Sequence, residues 1–349
     1  MGRLRILIWH IHGSYLNTLA RIEHDWYLPV KPDRPEGYGG RGPTFDLPDY
    51  VREVPADRVR GLDFDLVIYQ TPKNYFEDGP AILSAAQRRL PAIYLEHNTP
   101  RPDPVATRHP IDDENLLLIH VTHYNRLMWD NGRTPTTVIE HSVAIDPAIR
   151  YRGELACGIT VINAMPRRPR ITGYDLFLTA AQSVPLVATG MGTEAPDFGA
   201  SGLGDIPYHE LHHRVAAYRF LFSPIRYTSL PLAVIEAMTI GMPVIALATT
   251  ELPSVIQDGV TGYLSNDLDT LIARMRELLD DPGRARRLGD NARHVATERF
   301  GLNRFRRDWN AAFATVGAGR GHGGGTNGCR VNTTATTAVA APLALQEGD

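Results

Sequence analysis

Glu236 is the one charged residue in the apolar run from Leu230 to Met242. A carboxylate enclosed in such a segment either changes protonation state or finds hydrogen-bond donors; ligand hydroxyls are one source of donors and nearby backbone is the other. The helix that must carry it begins near Leu230. Thr228 or Ser229 would cap it through a side-chain oxygen, Pro231 suits its first turn, and Gly241 suits its C-terminal end. Leu230, Ala233, Val234, Ala237 and Met238 form one apolar stripe, and Leu232, Ile235 and Ile240 make the other faces apolar too, so the helix should be buried. Its first turn contains no Asp or Glu, and Arg226 precedes it. The N–H groups near Ser229 and Leu230, with the positive end of the helix dipole, would suit a phosphate; an ordinary capped helix is the plain alternative.

Ligands of open parallel sheets sit beyond the C-terminal strand ends, so the residues just after each apolar run are the next candidates. His10-Ile11-His12-Gly13-Ser14 follows the first run, where Gly13 would let a ligand approach the backbone or would simply make a turn. After another run comes Glu96-His97-Asn98-Thr99-Pro100, in which His97 would bind a hydroxyl, stabilise developing charge, or be satisfied by loop backbone. Arg167, Arg168 and Arg170 follow a strand ending at Asn163. They are phosphate partners through bidentate guanidinium pairing, or solvated loop charges. Gly190-Met191-Gly192 follows the next strand, and His120, His123 and His141, near other strand ends, read individually as structural. Asp63-Phe64-Asp65 has metal-site spacing but precedes a strand, so it reads as charge at the strand's head. His209-Glu210-Leu211-His212-His213 fits the HExxH pattern, which on a helix would place His209 and His213 around zinc with Glu210 as base and Glu236 as third ligand.

These residues require short buried strands alternating with helices, and the chain supplies them. Strands are expected at Leu4 to Trp9, Asp65 to Tyr69, Ala92 to Leu95, Leu116 to Val121 and Thr137 to Glu140. A second set is expected at Ile159 to Asn163, Pro185 to Ala188, Arg219 to Ser223 and Pro243 to Leu247. The alternation argues for α/β architecture with parallel sheets. The 349 residues suffice for two domains, divided near Ile149 to Gly158. The expected organisation is 1–150, 151–316 with closing helices, and a disordered tail over 317–349, where no amphipathic period survives. Pro29 to Pro48 reads as one long loop. The net charge of -3 shows no basic excess that would suggest nucleic acid. Only Cys157 and Cys329 are present, which fits a reducing cytoplasm. No apolar run approaches the ~20 residues that span a bilayer, although peripheral membrane contact stays open.

The segment Glu236-Ala237-Met238, then Gly241-Met242-Pro243-Val244-Ile245 and Asp258-Gly259-Val260-Thr261-Gly262-Tyr263, resembles the nucleotide-binding half of the family 4 retaining glycosyltransferases. Looser likeness continues through Leu278-Leu279-Asp280-Asp281-Pro282, Ala292-Arg293 and Glu298-Arg299-Phe300. The resemblance implies the GT-B fold: two Rossmann-like doubly wound domains facing a cleft. It departs from the family's Glu-x7-Glu at the first Glu, where Thr228 stands, and from the Gly-Gly-x-Pro-Glu turn, of which only Pro253 remains. Thr172 stands where the family has a Lys.

The resemblance further implies a sugar transfer, with retention and without metal or other cofactor, from a nucleotide sugar to a glycan, lipid-linked or small-molecule acceptor. Glu236 would hold the ribose hydroxyls, and Thr228 would stand beside the donor sugar. Gly13 would lie between donor and acceptor, and Gly190 beside the base. The groups near Ser229 and Leu230, with one or two of Arg167, Arg168 and Arg170, would neutralise the leaving diphosphate. His97 and Glu236 are the expected catalytic pair. A catalytically silent binding or scaffold protein is the alternative that Thr228 motivates, and a zinc hydrolase is a remote one.

Overall fold

The computed structural model describes residues 2–318. Strands β1 (Arg5–Ile8), β2 (Asp25–Val30), β3 (Val51–Pro55), β4 (Leu66–Tyr69), β5 (Ala92–Glu96), β6 (Leu116–His120) and β7 (Thr136–Val138) form a parallel sheet in the order β3-β2-β1-β4-β5-β6-β7. Strands β8 (Leu155–Val161), β9 (Leu186–Thr189), β10 (Tyr218–Ser223), β11 (Val244–Ala246) and β12 (Gly262–Leu264) form a second, in the order β12-β11-β10-β8-β9. Both orders are doubly wound. The first reverses direction between β1 and β4, the second between β8 and β10, and such reversals open a crevice at the strand ends.

Helices α1 (Gly13–Leu19), α2 (Gly79–Ile82) and α3 (His123–Met128) connect strands of the first sheet. Around the second lie α4 (Pro169–Thr172), α5 (Tyr174–Ala181), α6 (Tyr208–Val215), α7 (Leu232–Ile240), α8 (Leu252–Val255), α9 (Leu268–Asp280) and α10 (Pro282–Arg299). The last helix, α11 (Leu302–Ala318), joins the core of the first sheet: Phe305, Trp309 and Phe313 are buried there with Tyr15, Leu16 and Trp26. The helices that end the described residues are therefore shared, α9 and α10 packing with the second sheet and α11 with the first. Gly317 and Ala318, expected to open a disordered tail, close α11; the rest of that stretch lies outside the described residues.

The stretch read as a single long loop is bounded by strands that its composition hides. Pro29 lies inside β2, but β2 pairs with β1 only over Asp25 to Tyr27, so no partner on that side needs a Pro29 N–H. Asp65 supports its reading as charge at a strand head, since its carboxylate accepts the Arg5 N–H at 2.7 Å. Helix α7 starts at Leu232, two residues later than expected. Pro231 is itself the cap residue, and neither Thr228 nor Ser229 supplies a side-chain cap. Gly241 ends the helix in the left-handed region at φ 89°, as its type predicts. Among the described residues no helix is long and apolar enough to cross a membrane.

Candidate functional site

A cleft of about 620 Å³ lies where the strand ends of the two sheets face each other. Gly13 and Ser14 at the start of α1 wall it from the first domain, together with Pro43, Thr44 and Phe45. Asn163 after β8, Gly190 after β9, Tyr208 on α6 and Glu236 on α7 wall it from the second. Gly13, Gly190 and Glu236, far apart in sequence, are thus brought to one space. Arg167, Arg168, Arg170, Thr228, Ser229 and Leu230 are not among the residues that line it.

Glu236 sits on the second turn of a helix whose remaining residues are apolar but for Thr239, and it is 8 % exposed. Its Oε1 lies 3.5 Å from Nε2 of His212, itself buried on α6. Gly190 has φ 126°, and a Cβ there would come within 2.5 Å of the Ile162 carbonyl oxygen, so glycine is required for this turn beside the cleft. Asn163 Oδ1 accepts the Met191 N–H at 3.0 Å and ties the loops after β8 and β9 together.

The arginines divide. Arg170 pairs with Asp175 at 2.6 Å, and Arg226 grips both oxygens of the same carboxylate at 2.6 and 2.7 Å. The Arg226 hydrogen bonds hold the Asp175 carboxyl below its ordinary pKa, against the opposing effect of burial. Arg226, expected to add positive potential at the head of α7, is thereby largely neutralised. Arg167 and Arg168 are exposed and make no salt bridge among the described residues.

In the first domain His97 is buried, its Nε2 at 3.1 Å from Gln70 Oε1. Gln70 in turn donates to the Trp9 carbonyl, so the ends of β1, β4 and β5 are locked across the sheet's point of reversal. The His97 ring lies 4.1 Å from that of His12 and 4.7 Å from that of Tyr15, which also meets His141 at 5.6 Å. Burial holds the His97 pKa well below the imidazole norm, and His12 and His141 reinforce this. Burial also lowers His12 to about 4 and His141 to about 3. These rings are neutral at physiological pH, and His97 can exchange hydrogen bonds without carrying charge. Gln70 and His12 were not singled out from sequence, and His141 was read as structural. Each is unremarkable alone, and the signal available was its place just beyond a strand.

The zinc pattern comes apart on the helix. His209 and His213 point to solvent and only His212 turns inward, toward the Glu236 that was offered as third ligand to the other two. No group of three candidate ligands gathers among the described residues.

The domains also touch directly. Glu251 Oε2 accepts the Tyr124 N–H at 2.7 Å, Tyr227 donates to the Pro100 carbonyl at 3.0 Å, and the Phe45 ring meets Tyr208 edge-on at 4.7 Å. Glu251 stands where the resemblance placed a glycine, and it reaches across to the N-terminus of α3.

Residues 202–295, which include α6, α7 and Glu236, match the family model described as Glycosyl transferases group 1. A 104-residue stretch is 38 % identical to the MMP alpha-(1->4)-mannosyltransferase of Mycolicibacterium hassiacum, covering 29 % of this chain and 25 % of that one. The matches to the first three curated relatives span 25 %, 23 % and 41 % of their lengths. Sucrose-phosphate synthase from Thermosynechococcus elongatus superposes with a TM-score of 0.66 at 16 % identity, over 91 % of this chain and all of that one. HepE of Anabaena, solved in complex with UDP, gives 0.67 at 14 % identity, over 89 % of this chain and all of that one. At these identities the structures speak for the fold, and the sequence match speaks for the segment alone: residues 202–295 are similar to group 1 glycosyl transferases, in a chain with the GT-B fold.

Proposed function

We propose that the protein transfers a sugar from a nucleoside-diphosphate donor, held in the cleft against the second domain, to an acceptor presented by the first. The observation that carries this is Glu236, a nearly buried carboxylate that opens onto the cleft opposite Gly13 from within the matched segment. Its carboxylate is suited to paired ribose hydroxyls. The base would lie along the Gly190 turn, and Arg167 or Arg168 would draw the diphosphate. The N–H groups opening α7 have no acidic neighbour in the first turn and would add to that field. Charge that develops on the leaving diphosphate would then be stabilised by groups already in place, which requires no metal ion in the step. Retention at the transferred carbon belongs to this reading through the family resemblance.

A thermal-shift screen against UDP, GDP, ADP and dTDP and their common sugars, with and without chelator, tests it. Selective stabilisation by one nucleotide that survives chelation is the expected result, and no response to any of them would sink the reading. With the responding nucleotide, Glu236→Gln should weaken binding by roughly ten- to hundredfold, the worth of a hydrogen bond to a charged group.

A further inference from the structure

We propose that His212 is a positioning residue for Glu236, holding its carboxylate in the orientation that receives the nucleotide's hydroxyls. The inference rests on the transferase reading above. Within the His-Glu-Leu-His-His run His212 alone is buried, the other buried member of α6 being Val215 beyond it. His212 Nε2 is enclosed and has no hydrogen-bond partner among the described residues, and Glu236 Oε1 stands 3.5 Å away. An enclosed ring nitrogen without a partner is costly, and its approach to an enclosed carboxylate offsets that cost only if the two are used together.

The ring is braced from the side. Tyr208 meets it edge-on at 5.1 Å, and Tyr208 is met in turn by Phe45 from the first domain. Phe45 packs so closely on Gly13 that a Cβ there would lie 2.8 Å from its ring. A contact line therefore runs from the first domain's glycine turn, through three aromatic rings, to the carboxylate. A glutamate free to rotate would lose side-chain entropy when it bound a pair of hydroxyls. One confined by an imidazole 3.5 Å away has less to lose, so the benefit falls on binding.

The test uses the full chain and whichever of UDP, GDP, ADP or dTDP binds it, measured by calorimetry. His212→Phe keeps an aromatic ring against Tyr208 but removes the ring nitrogens, and His212→Leu serves if the larger ring disturbs folding. Either should weaken nucleotide binding about tenfold, while His212→Gln, which retains an N–H, should recover to within about threefold of wild type. Combined with Glu236→Gln, the His212 change should add less than about twofold, because the two residues act through one contact. Equal binding by wild type and His212→Phe, no recovery by His212→Gln, or losses that multiply in the double variant would overturn the proposal. If a nucleotide binds and Glu236→Gln weakens it while the His212 variants do not, only the positioning role falls. If none of the four binds the wild type, the transferase reading falls and this role with it.

Discussion

Neutral histidines are the distinctive chemistry of the first domain's strand ends. His12 and His141 titrate near 6.5 in an unfolded chain but are lowered, chiefly by burial, to about 4 and about 3 when folded. Between those values the unfolded state binds more protons than the native one, so stability is full above about pH 6.5 and is lost as pH falls toward 4. Each such imidazole costs about 1.4 kcal/mol per pH unit across that window. Urea melts at pH 7 and pH 5 should show this loss, and His141→Phe should flatten it; a parallel loss in that variant would mean His141 does not contribute. Glu236 could be found from sequence because a lone carboxylate in an apolar helix is a local contradiction. His12, Gln70, His97 and His141 could not be grouped in advance, since they meet only when separate parallel strands end side by side.

Helix α7 shows how an element places such a residue. It lies against α10 at a pair of glycines, where a Cβ on Gly289 would run into the Gly241 carbonyl oxygen. Gly289→Ala must push the two helices apart and should destabilise the second domain by about 1–3 kcal/mol, or more if the backbone cannot yield. Denaturation monitored by circular dichroism would reveal it, and wild-type stability would mean the helices separate freely. The alternation of strands and helices was readable because buried parallel strands are continuous apolar runs. Strand β2 was masked by Pro29 and β12 by its three-residue length. The start of α7 moved because Pro231, suited to a first helical turn by its fixed φ, instead takes an extended cap conformation at ψ 126°.

In the whole molecule the two reversal points face one cleft, and contacts from Glu251 to the Tyr124 N–H, from Arg299 to Glu140 and from Phe45 to Tyr208 hold the halves in register. The two-sheet plan was evident from the sequence, but the return of α11 was not, because an amphipathic helix does not say which core it serves. Trp309 is fully buried there and donates to the Tyr15 hydroxyl at 3.3 Å. Trp309→Ala should cost about 3–5 kcal/mol, and should lower the unfolding midpoint of the first domain ahead of the second. That same helix sets a timetable for the ribosome. Because domains otherwise fold as they emerge, the first domain here waits with Tyr15 and Trp26 uncovered until the whole second domain has been translated, at roughly 5–20 residues per second. The interval is one in which chaperones would have most to do, and a message that ends early, before Leu302, would release a first domain that has never closed.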